Sequence, residues 1–416
     1  MNILEDLEFR GLVYQATDRE GLDERLQSGP ITLYNGFDPT SDSMTVGNLV
    51  TILLLRRFQL AGHKPLALVG GGTGMIGDPS GKSEERSLNT LDVVEAWGEK
   101  FKKQLEPYLD FEASGNPAQI VNNIDWLGQI KMIEFLRDVG KHFPISYMLA
   151  KESVDSRMEA GISYTEFSYM ILQSYDFLKL NEQYGCQLQT GGSDQWGNIT
   201  AGGDLVRRTN GGKVYGLTCP LVTKADGTKF GKTESGAIWL DADKTTPYEF
   251  YQFWINAEDQ KVVEYLKFFT FLERDEILQL EETVEQHPEK REAQRKLAEE
   301  VTTLVHGAEA RRKAEKISHA LFYGDFSELT EDELQQGFHD VPTYLMEEEE
   351  LGLVDLLVKA RVVKAKRQAR EDVQNGAIYI NGERCTELTK GMRKADGLHG
   401  KYPNIRRGKK NYFLVN

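Results

Sequence analysis

Two segments far apart in the sequence contain residue types that can bind a phosphate-bearing ligand. The first runs from Gly36-Phe37-Asp38-Pro39-Thr40 to Thr45-Val46-Gly47-Asn48, and the second is Lys229-Phe230-Gly231-Lys232-Thr233, called here the KFGKT loop. The two lysines of this loop can place positive charge on a departing phosphate group, and its threonine can add a hydroxyl. A generic basic surface turn has the same composition, so the KFGKT loop gains its meaning from the motifs that accompany it.

Between these segments, three polar residues have the spacing of one helix face. Tyr169, Gln173 and Asp176 are separated by four and then three positions, which places them on the same side of a helix. Polar groups on a face turned towards the protein interior need hydrogen-bond partners. Those partners are either one another, in a purely structural network, or a polar ligand.

The elements that must position these residues begin with an alternation of strand and helix. An apolar strand at 31–35 precedes a helix at about 46–59 and a continuously apolar strand at 65–69. This order predicts a βαβ unit with a parallel sheet. Ligands of such sheets bind at the carboxyl ends of the strands. We expect three aspartates near those ends: Asp38, Asp78 and Asp194.

A glycine run, Gly70-Gly71-Gly72-Thr73-Gly74, follows the second of these strands. Its spacing does not match a phosphate-cradling P-loop, because Asp78-Pro79 interrupts the helix start that this motif requires. Glycine has no Cβ, so we interpret the run as backbone that a bound substrate can approach closely. Gly191-Gly192-Ser193-Asp194-Gln195 is a second glycine-led turn, after a strand-like segment at 186–190.

The composition indicates a soluble intracellular protein. The 416 residues are enough for two or three domains with large cores. The N-terminus has no secretion signal, and the longest apolar stretches are too short for a bilayer. We therefore expect a cytoplasmic protein without a membrane partner. Three widely spaced cysteines indicate reduced thiols, and seven scattered histidines predict no structural metal site.

The net charge of −15 is distributed unevenly. Residues 359–416 hold 15 Lys and Arg against 5 Asp and Glu, whereas the preceding residues hold 35 against 60. A basic C-terminal segment on an acidic body is expected if that segment binds a polyanion. A solvated basic surface without a partner is the alternative.

Together these motifs resemble those of bacterial-type tyrosyl-tRNA synthetases, which are class I aminoacyl-tRNA synthetases, from about Gly11 to the C-terminus. The resemblance implies an α/β fold with a Rossmann-type parallel-sheet catalytic domain, a helical domain and a small α+β RNA-binding domain of the S-four type. The expected boundaries are a catalytic domain at 1–220, a helical domain with the KFGKT loop at 221–325, an acidic linker at 326–350 and the RNA-binding domain at 351–416.

The resemblance also implies an activity. Enzymes of this family activate L-tyrosine with ATP, giving tyrosyl-adenylate and pyrophosphate, and then transfer tyrosine to the 3′ end of tRNA(Tyr). Mg²⁺ is carried with ATP and pyrophosphate, and the enzymes are homodimers. The expected partners are therefore L-tyrosine, ATP, tRNA(Tyr) and a second copy of the chain.

Matched residue by residue, the resemblance implies four groups of site residues. The catalytic group is Thr40, Thr45, Asn48, Lys82, Arg86, Lys229, Lys232 and Thr233. The tyrosine-binding group is Tyr34, Asp78, Tyr169, Gln173, Asp176 and Gln195. The ATP-binding group is Gly36, Asp38, Gly47, Asn48, Gly192, Asp194 and Lys232. The tRNA-binding group is Arg367, Arg370, Arg406, Arg407, Lys409 and Lys410.

One motif departs from the family pattern. The HxGH signature reads Thr45-Val46-Gly47-Asn48 here, so both histidines are absent. Asn48 still carries a hydrogen-bond donor, whereas Thr45 is shorter than histidine, and we expect slower ATP activation. The alternative is a catalytically attenuated synthetase-like protein that binds RNA or regulates. Lys82, Arg86 and the KFGKT loop argue against it, because a binding protein would not need pyrophosphate contacts.

Overall fold

The computed structural model describes residues 2–80, 88–159, 161–233, 236–326, 328–339, 341–408 and 411–415. Their contacts divide the chain into two compact units. The first unit is Met1–Thr245 with Ala257–Leu297, and the second is Thr246–Asn256 with Ala298–Asn416. The four domain boundaries expected from the sequence stay a prediction. No helix in the described ranges is long and apolar enough to cross a membrane.

Strands and helices are numbered in chain order. The strands are β1 (Gln15–Ala16), β2 (Thr32–Phe37), β3 (Lys64–Val69), β4 (Gln119–Asn122), β5 (Cys186–Gly192), β6 (Tyr215–Cys219), β7 (Lys232–Thr233), β8 (Gly236–Ala237), β9 (Thr343–Tyr344), β10 (Leu351–Gly352), β11 (Ile378–Ile380), β12 (Glu383–Cys385), β13 (Gly391–Met392), β14 (Asn404–Arg407) and β15 (Asn411–Val415).

The α-helices lie between these strands, in places singly and in places several in succession. They are α1 (Ile3–Phe9), α2 (Arg19–Gln27), α3 (Val46–Leu60), α4 (Leu91–Leu105), α5 (Ile124–Leu127), α6 (Met132–Glu134), α7 (Ile145–Leu149), α8 (Glu152–Asp155), α9 (Tyr164–Tyr184), α10 (Trp196–Asn210), α11 (Pro247–Ile255), α12 (Asp259–Phe269), α13 (Arg274–Gln286), α14 (Glu292–Tyr323), α15 (Glu331–Gly337), α16 (Leu353–Lys359) and α17 (Lys366–Gln374).

A mixed sheet forms the centre of the first unit. Within the described residues it has six strands in the order β1-β6-β5-β2-β3-β4, and every pair is parallel except β1 with β6. The parallel neighbours β2 and β3 are joined by α3, which is the βαβ unit that the sequence predicted. The Rossmann-type parallel sheet is therefore confirmed. Its carboxyl-terminal edge gathers the residues after β2, β3, β4 and β5.

Helix α9 packs on this sheet and carries the polar triplet. It begins after Ser163, whose hydroxyl accepts from the Glu166 backbone, and it ends at Gly185 in the left-handed region (φ 63). Met170 and Phe177 belong to the buried apolar cluster between α9 and the sheet. The triplet therefore lies in the middle of a 21-residue helix, between buried apolar residues.

The second unit contains a sheet in the order β12-β11-β14-β15-β9, as far as the described residues extend. Its basic helix α17 ends before Gly376 (φ 64), and an Asn381-Gly382 turn joins β11 to β12. In the expected linker 326–350, the structure has helix α15 and strand β9. Thr343 and Tyr344 of strand β9 pair with β15 and add an edge strand to the sheet.

Candidate active site

The carboxyl group of Asp176 is buried in the first unit, beside Trp126, Asn123 and Tyr34, and this buried region is called here the pocket. Asp176 is 1 % exposed, and its carboxyl group accepts hydrogen bonds from Trp126 Nε1 (2.7 Å) and Asn123 Nδ2 (3.0 Å). Burial raises the pKa of this carboxyl to about 8, and the negative charge of Asp38 adds to the rise, although the two donated hydrogen bonds oppose it. The pocket therefore presents a desolvated carboxyl group that is already oriented.

Tyr34, at the centre of β2, lies in the same pocket. Its ring is fully buried and meets Phe177 edge-on, with centroids 5.4 Å apart. Its hydroxyl has no hydrogen-bond partner among the described residues. Burial raises the pKa of this phenol well above its ordinary value, and the charge of Asp176 contributes. A buried hydroxyl without a partner is costly, so this group indicates a missing polar ligand.

A chain of hydrogen bonds connects Tyr169 to Asp176. The Tyr169 hydroxyl donates to Asp38 Oδ2 (2.6 Å), and Thr73 Oγ1 donates to Asp38 Oδ1 (2.6 Å). Asn123 Nδ2 donates to Thr73 Oγ1 (2.8 Å) and to Asp176 Oδ2. Asp38 was expected at the nucleotide, but here it also orients the residues that were expected to bind tyrosine.

The glycine run after β3 makes room for this network. A Cβ on Gly70 would collide with the carboxylate of Asp38, and one on Gly71 would collide with the side-chain amide of Asn122. The backbone of Gly72 donates to Asn123 Oδ1 at 2.8 Å. The approach that these glycines permit is thus an approach of the protein's own polar side chains, a role that the sequence analysis had given to the substrate.

A second polar cluster surrounds Asp78. Gln195 Nε2 donates to Asp78 Oδ2 (2.6 Å), and the Ser80 backbone donates to Asp78 Oδ1 (2.9 Å). Asn198 Nδ2 lies 3.1 Å from Gln173 Oε1 and 3.2 Å from Gln195 Oε1. The structure thus brings three residues of the expected tyrosine-binding group together around Asn198, through acceptors that can hold a cation.

The segment that was expected to bind the nucleotide, called here the nucleotide half of the site, is joined to the KFGKT loop. The Thr45 backbone and hydroxyl both donate to Asn48 Oδ1, at 3.0 and 3.2 Å, so these two residues hold each other at the start of α3. A Cβ on Gly231 would lie 2.7 Å from Val46 Cγ2. The Val46 backbone donates to the Ile238 carbonyl at 3.0 Å. Segments about 180 residues apart in sequence are therefore adjacent in space.

The charged residues of this half face solvent. Lys229, Lys232 and Thr233 are exposed, and so are Thr40 and the backbone at Gly36 and Gly47. The Asp194 carboxyl follows β5 beside Gly192. Its pKa is raised because the surrounding protein desolvates it and Asp78 adds negative charge, and Lys229 opposes that rise. Lys229 is thus close enough to act on the same region as Asp194.

Four expected residues lie outside the described residues: Lys82, Arg86, Lys409 and Lys410. The other basic residues of the expected tRNA-binding group lie in the second unit, in two different settings. Arg370 is exposed on α17, and Arg367, also exposed, pairs with Glu371 at 3.2 Å. The Arg407 guanidinium pairs with Asp372 (2.8 Å) inside the domain, whereas that of Arg406 lies 4.0 Å from the Tyr379 ring centre.

The sequence analysis missed Asn123, Trp126 and Asn198. Asn123 directly follows β4, a short strand with the sequence QIVN that has no strong apolar pattern. The sequence signal that could have found Asn123 is its position directly after a strand, because polar residues that follow parallel strands lie at the same edge of the sheet. Asn198 lies three residues after the glycine-led turn that ends at Gln195, but its contacts run to three separate segments of the chain.

Comparisons with known proteins identify the family of the chain. Residues 26–323 match the family model of class I tRNA synthetases for tryptophan and tyrosine (W and Y). The chain belongs to this family. Residues 333–415 match the SYY-like C-terminal domain of tyrosine–tRNA ligases, so the class I synthetase model and this second model together span most of the chain.

Full-length relatives refine the comparison. The chain is 62 % identical to a tyrosine–tRNA ligase of Desulfitobacterium hafniense and 61 % identical to tyrosine–tRNA ligase 1 of Bacillus subtilis, covering 100 % of this chain and 99 % of each relative. A C-terminally truncated mitochondrial tyrosyl-tRNA synthetase of Aspergillus nidulans is 32 % identical. It superposes with a TM-score of 0.70 over 77 % of this chain and 94 % of its own.

Proposed function

We propose that the chain is a tyrosine–tRNA ligase, which activates L-tyrosine with ATP and transfers it to the 3′ end of tRNA(Tyr). Full-length identity of 61–62 % with tyrosine–tRNA ligases supports this function and gives no support to an attenuated binding protein. The structural observation that best supports this function is the buried pair Tyr34 and Asp176. One phenolic hydroxyl of a substrate would form hydrogen bonds with both groups. A substrate without that hydroxyl would leave the buried Tyr34 hydroxyl without a partner, while Asp176 would keep its bonds to Trp126 and Asn123.

The remaining pocket residues suit the other end of the amino acid. Asp78, Gln173 and Tyr169 supply a carboxylate, an amide oxygen and a phenol at the mouth of the pocket, which are groups that a substrate ammonium can contact. Gln195 is held by Asp78 and faces the same cluster. The tyrosine carboxylate then points towards the nucleotide half, where it attacks the α-phosphorus of ATP.

The enzyme contributes position and charge to this attack. The nucleophile is already ionised, so no general base is required. Lys229, Lys232 and Thr233 surround the region where negative charge grows on the departing pyrophosphate, together with Thr40 and Mg²⁺ carried by ATP. Gly36, Gly47 and Gly192 leave the backbone open beside the nucleotide, and Asp38 and Asp194 complete the expected ATP contacts.

The second unit is proposed to hold the tRNA. Arg367 and Arg370 point out from α17, and Arg406 lies on the neighbouring sheet. Phosphate contacts from such residues are sensitive to salt. The excess of positive charge over residues 359–416 suits this role.

We infer that the enzyme works as a homodimer. Large apolar side chains are exposed between residues 132 and 164 of the first unit, including Met132 (72 %), Ile133 (67 %), Ile145 (62 %) and Tyr164 (71 %). Exposed apolar residues concentrated in one segment are typical of protein interfaces. We also propose a cytoplasmic location, since Cys186, Cys219 and Cys385 are unpaired thiols.

Tyrosine-dependent exchange of pyrophosphate into ATP tests the function directly. Purified protein should catalyse exchange with tyrosine, and tryptophan and phenylalanine should not support it at comparable concentrations. Charging of tRNA(Tyr) should follow under the same conditions. Exchange with tryptophan instead would transfer the assignment to the other branch of the family, and no exchange with any amino acid would favour the attenuated protein.

A further inference from the structure

The KFGKT loop is fixed at its centre, and its charged residues lie on either side of the fixed point. Phe230 is only 5 % exposed, whereas Lys229 and Lys232 are exposed. We propose that Phe230 is a positioning residue that sets the two lysines for the activation step. This inference rests on the proposed function of the same site.

The aromatic residues that pack against Phe230 lie on α12. The Phe230 ring centre is 4.8 Å from that of Tyr265 and 5.4 Å from that of Phe269, with which it stacks at an interplanar angle of 23°. The Tyr265 hydroxyl donates to the Thr223 carbonyl at 2.9 Å, and Thr223 forms a bridge with Lys229. Helix α12 therefore holds Thr223, which pairs with the first residue of the loop, and also Phe230 at the loop centre.

Helix α12 is itself held firmly at its carboxyl end. Arg57 on α3 donates to the Thr270 carbonyl at 2.6 Å, and Arg10 donates to the Leu272 carbonyl at 2.8 Å. Both arginine side chains are buried. The surface on which Phe230 rests is thus tied to the same helix that begins at the nucleotide half of the site.

Gly231 fixes the other side of the loop centre. Its backbone is in the left-handed region (φ 77), and the missing Cβ leaves space for Val46. The Ile238 backbone donates to the Gly231 carbonyl at 2.9 Å, and the Val46 backbone donates to the Ile238 carbonyl. The loop centre is therefore held between α12 and the start of α3.

This arrangement fixes the backbone from which two flexible lysine side chains extend. A lysine whose backbone is already in place has less freedom to lose when it contacts a developing charge. Removing the Phe230 ring should leave the tyrosine pocket unchanged and free the backbone at Lys229 and Lys232. The loss should therefore fall on tyrosyl-adenylate formation and spare tyrosine binding.

The test compares three variants of the full-length protein with the wild type. Phe230→Ala removes the fixed point, and Phe230→Leu retains an apolar side chain at the same place. Phe268→Ala is the matched control, because Phe268 is a buried aromatic residue on α12 that contacts Phe269. The measurements are the single-turnover rate of tyrosyl-adenylate formation, the tyrosine Kd and the unfolding temperature. The rate and the Kd are measured well below the lowest Tm of the variants.

Phe230→Ala should lower the single-turnover rate by about 10- to 100-fold, the cost of misplacing a catalytic group by about 1 Å. Its tyrosine Kd should change less than about 2-fold, Phe230→Leu should recover most of the rate, and Phe268→Ala should keep the wild-type rate despite a lower Tm. An unchanged rate in Phe230→Ala, or equal losses in Phe230→Ala and Phe268→Ala, would overturn the inference.

If Phe230→Ala does not fold, Phe230→Leu is compared with a further variant, Phe230→Gln. A wild-type rate in Phe230→Leu together with a loss in Phe230→Gln would support the inference, and equal rates in the two variants would contradict it. A wild-type protein without activity would refute the proposed function instead.

Discussion

The Tyr169 hydroxyl donates to Asp38 Oδ2 at 2.6 Å, across 131 positions of sequence. One of these residues was expected to bind the ammonium group of tyrosine, and the other was expected to bind ATP. Because Asp38 also accepts from Thr73, its carboxylate is the junction between Tyr169 and the hydrogen bonds that lead through Asn123 to Asp176. A change at this junction should therefore affect tyrosine binding even when it lies outside the pocket itself.

The first prediction concerns Thr73. Thr73→Val keeps the shape of the side chain but removes the donor to Asp38 and the acceptor for Asn123. Leaving buried polar groups unpaired costs about 1–3 kcal/mol. Only the part of this cost that differs between the free and the tyrosine-bound protein changes the affinity, so tyrosine affinity should fall by up to roughly 150-fold. Equilibrium dialysis with labelled tyrosine measures this. Ser174→Ala is the control, since its buried hydroxyl donates to the Met170 carbonyl on the same helix; an equal effect of both changes would contradict the network.

The sequence was informative where local pattern decides structure. The predicted helix at 46–59 is α3, and the predicted strand at 65–69 is β3, because continuous apolar runs between glycine-rich turns leave few other arrangements. The triplet on α9 was found for the same reason, through helical periodicity. Each of these predictions needed only neighbours within about ten positions in the sequence.

The site features that could not be predicted depend on contacts between residues that are far apart in the sequence. Nothing around Asn123 indicates that its amide lies between Thr73 and Asp176, because those partners are 50 and 53 positions away. The glycine run was assigned to substrate approach, since the sequence does not reveal that Asp38 and Asn122 occupy the space beside it. Tertiary side-chain contacts of this kind have no periodic signal.

The second prediction concerns the pH dependence of stability. The pKa of Asp176 is raised from 3.8 to about 8 in the folded protein. Between these values the folded protein binds a proton that the unfolded chain has released, so the free energy of unfolding should fall as pH rises, by up to about 1.4 kcal/mol per pH unit. Asp176→Asn removes this contribution. Its stability relative to the wild type should therefore increase from about pH 4 to pH 8.

Urea unfolding at several pH values measures this difference. The amide of Asp176→Asn places an NH₂ group near one of the donors Trp126 and Asn123, which lowers the free energy of unfolding by an amount that does not depend on pH. The test is therefore how the difference in the free energy of unfolding between variant and wild type changes with pH, and not its absolute size. Asp243→Asn, at an exposed position, is the control. A difference between Asp176→Asn and the wild type that does not vary with pH would show that the carboxyl is ionised throughout.

The third prediction concerns the missing histidine at position 45. In this structure the Thr45 hydroxyl is bonded to Asn48 Oδ1, so it is directed along α3. Thr45→His should raise the rate of adenylate formation by up to about 10- to 200-fold, the value of one hydrogen bond to a charged group. Tyrosine affinity should barely change, because the gain appears only as charge develops on pyrophosphate. Single-turnover kinetics separate the two quantities.

Thr45→Val completes this experiment. If the hydroxyl serves only Asn48, removing it should reduce the single-turnover rate by less than about 3-fold, since a local, partly exposed hydrogen bond contributes about 0.5 kcal/mol. A large loss in Thr45→Val, combined with no gain in Thr45→His, would mean that the threonine already contacts the nucleotide.

The fourth prediction separates two arginines of the second unit that the sequence analysis had grouped together. Arg370 is exposed on α17, whereas Arg407 pairs with Asp372 at 2.8 Å and also donates to the Val362 carbonyl at 3.4 Å. Arg370→Ala should weaken tRNA binding, reduce the salt dependence of log Kd by about one unit of slope, and leave the unfolding temperature unchanged. Arg407→Ala should lower the stability of the second unit, because it leaves Asp372 partly buried without its partner.

Filter binding of tRNA(Tyr) across a salt series and thermal unfolding measure both effects on the same samples. Arg407→Lys keeps the charge but loses the forked geometry that reaches Asp372 and Val362 together, so it should recover only part of the stability. A double change, Arg407→Ala with Asp372→Ala, should be less destabilising than Arg407→Ala alone, because no unpaired carboxylate remains. If Arg407→Ala instead reduced the salt slope as strongly as Arg370→Ala at unchanged stability, the arginine would contact phosphate, and its bond to Asp372 would have to open when tRNA binds.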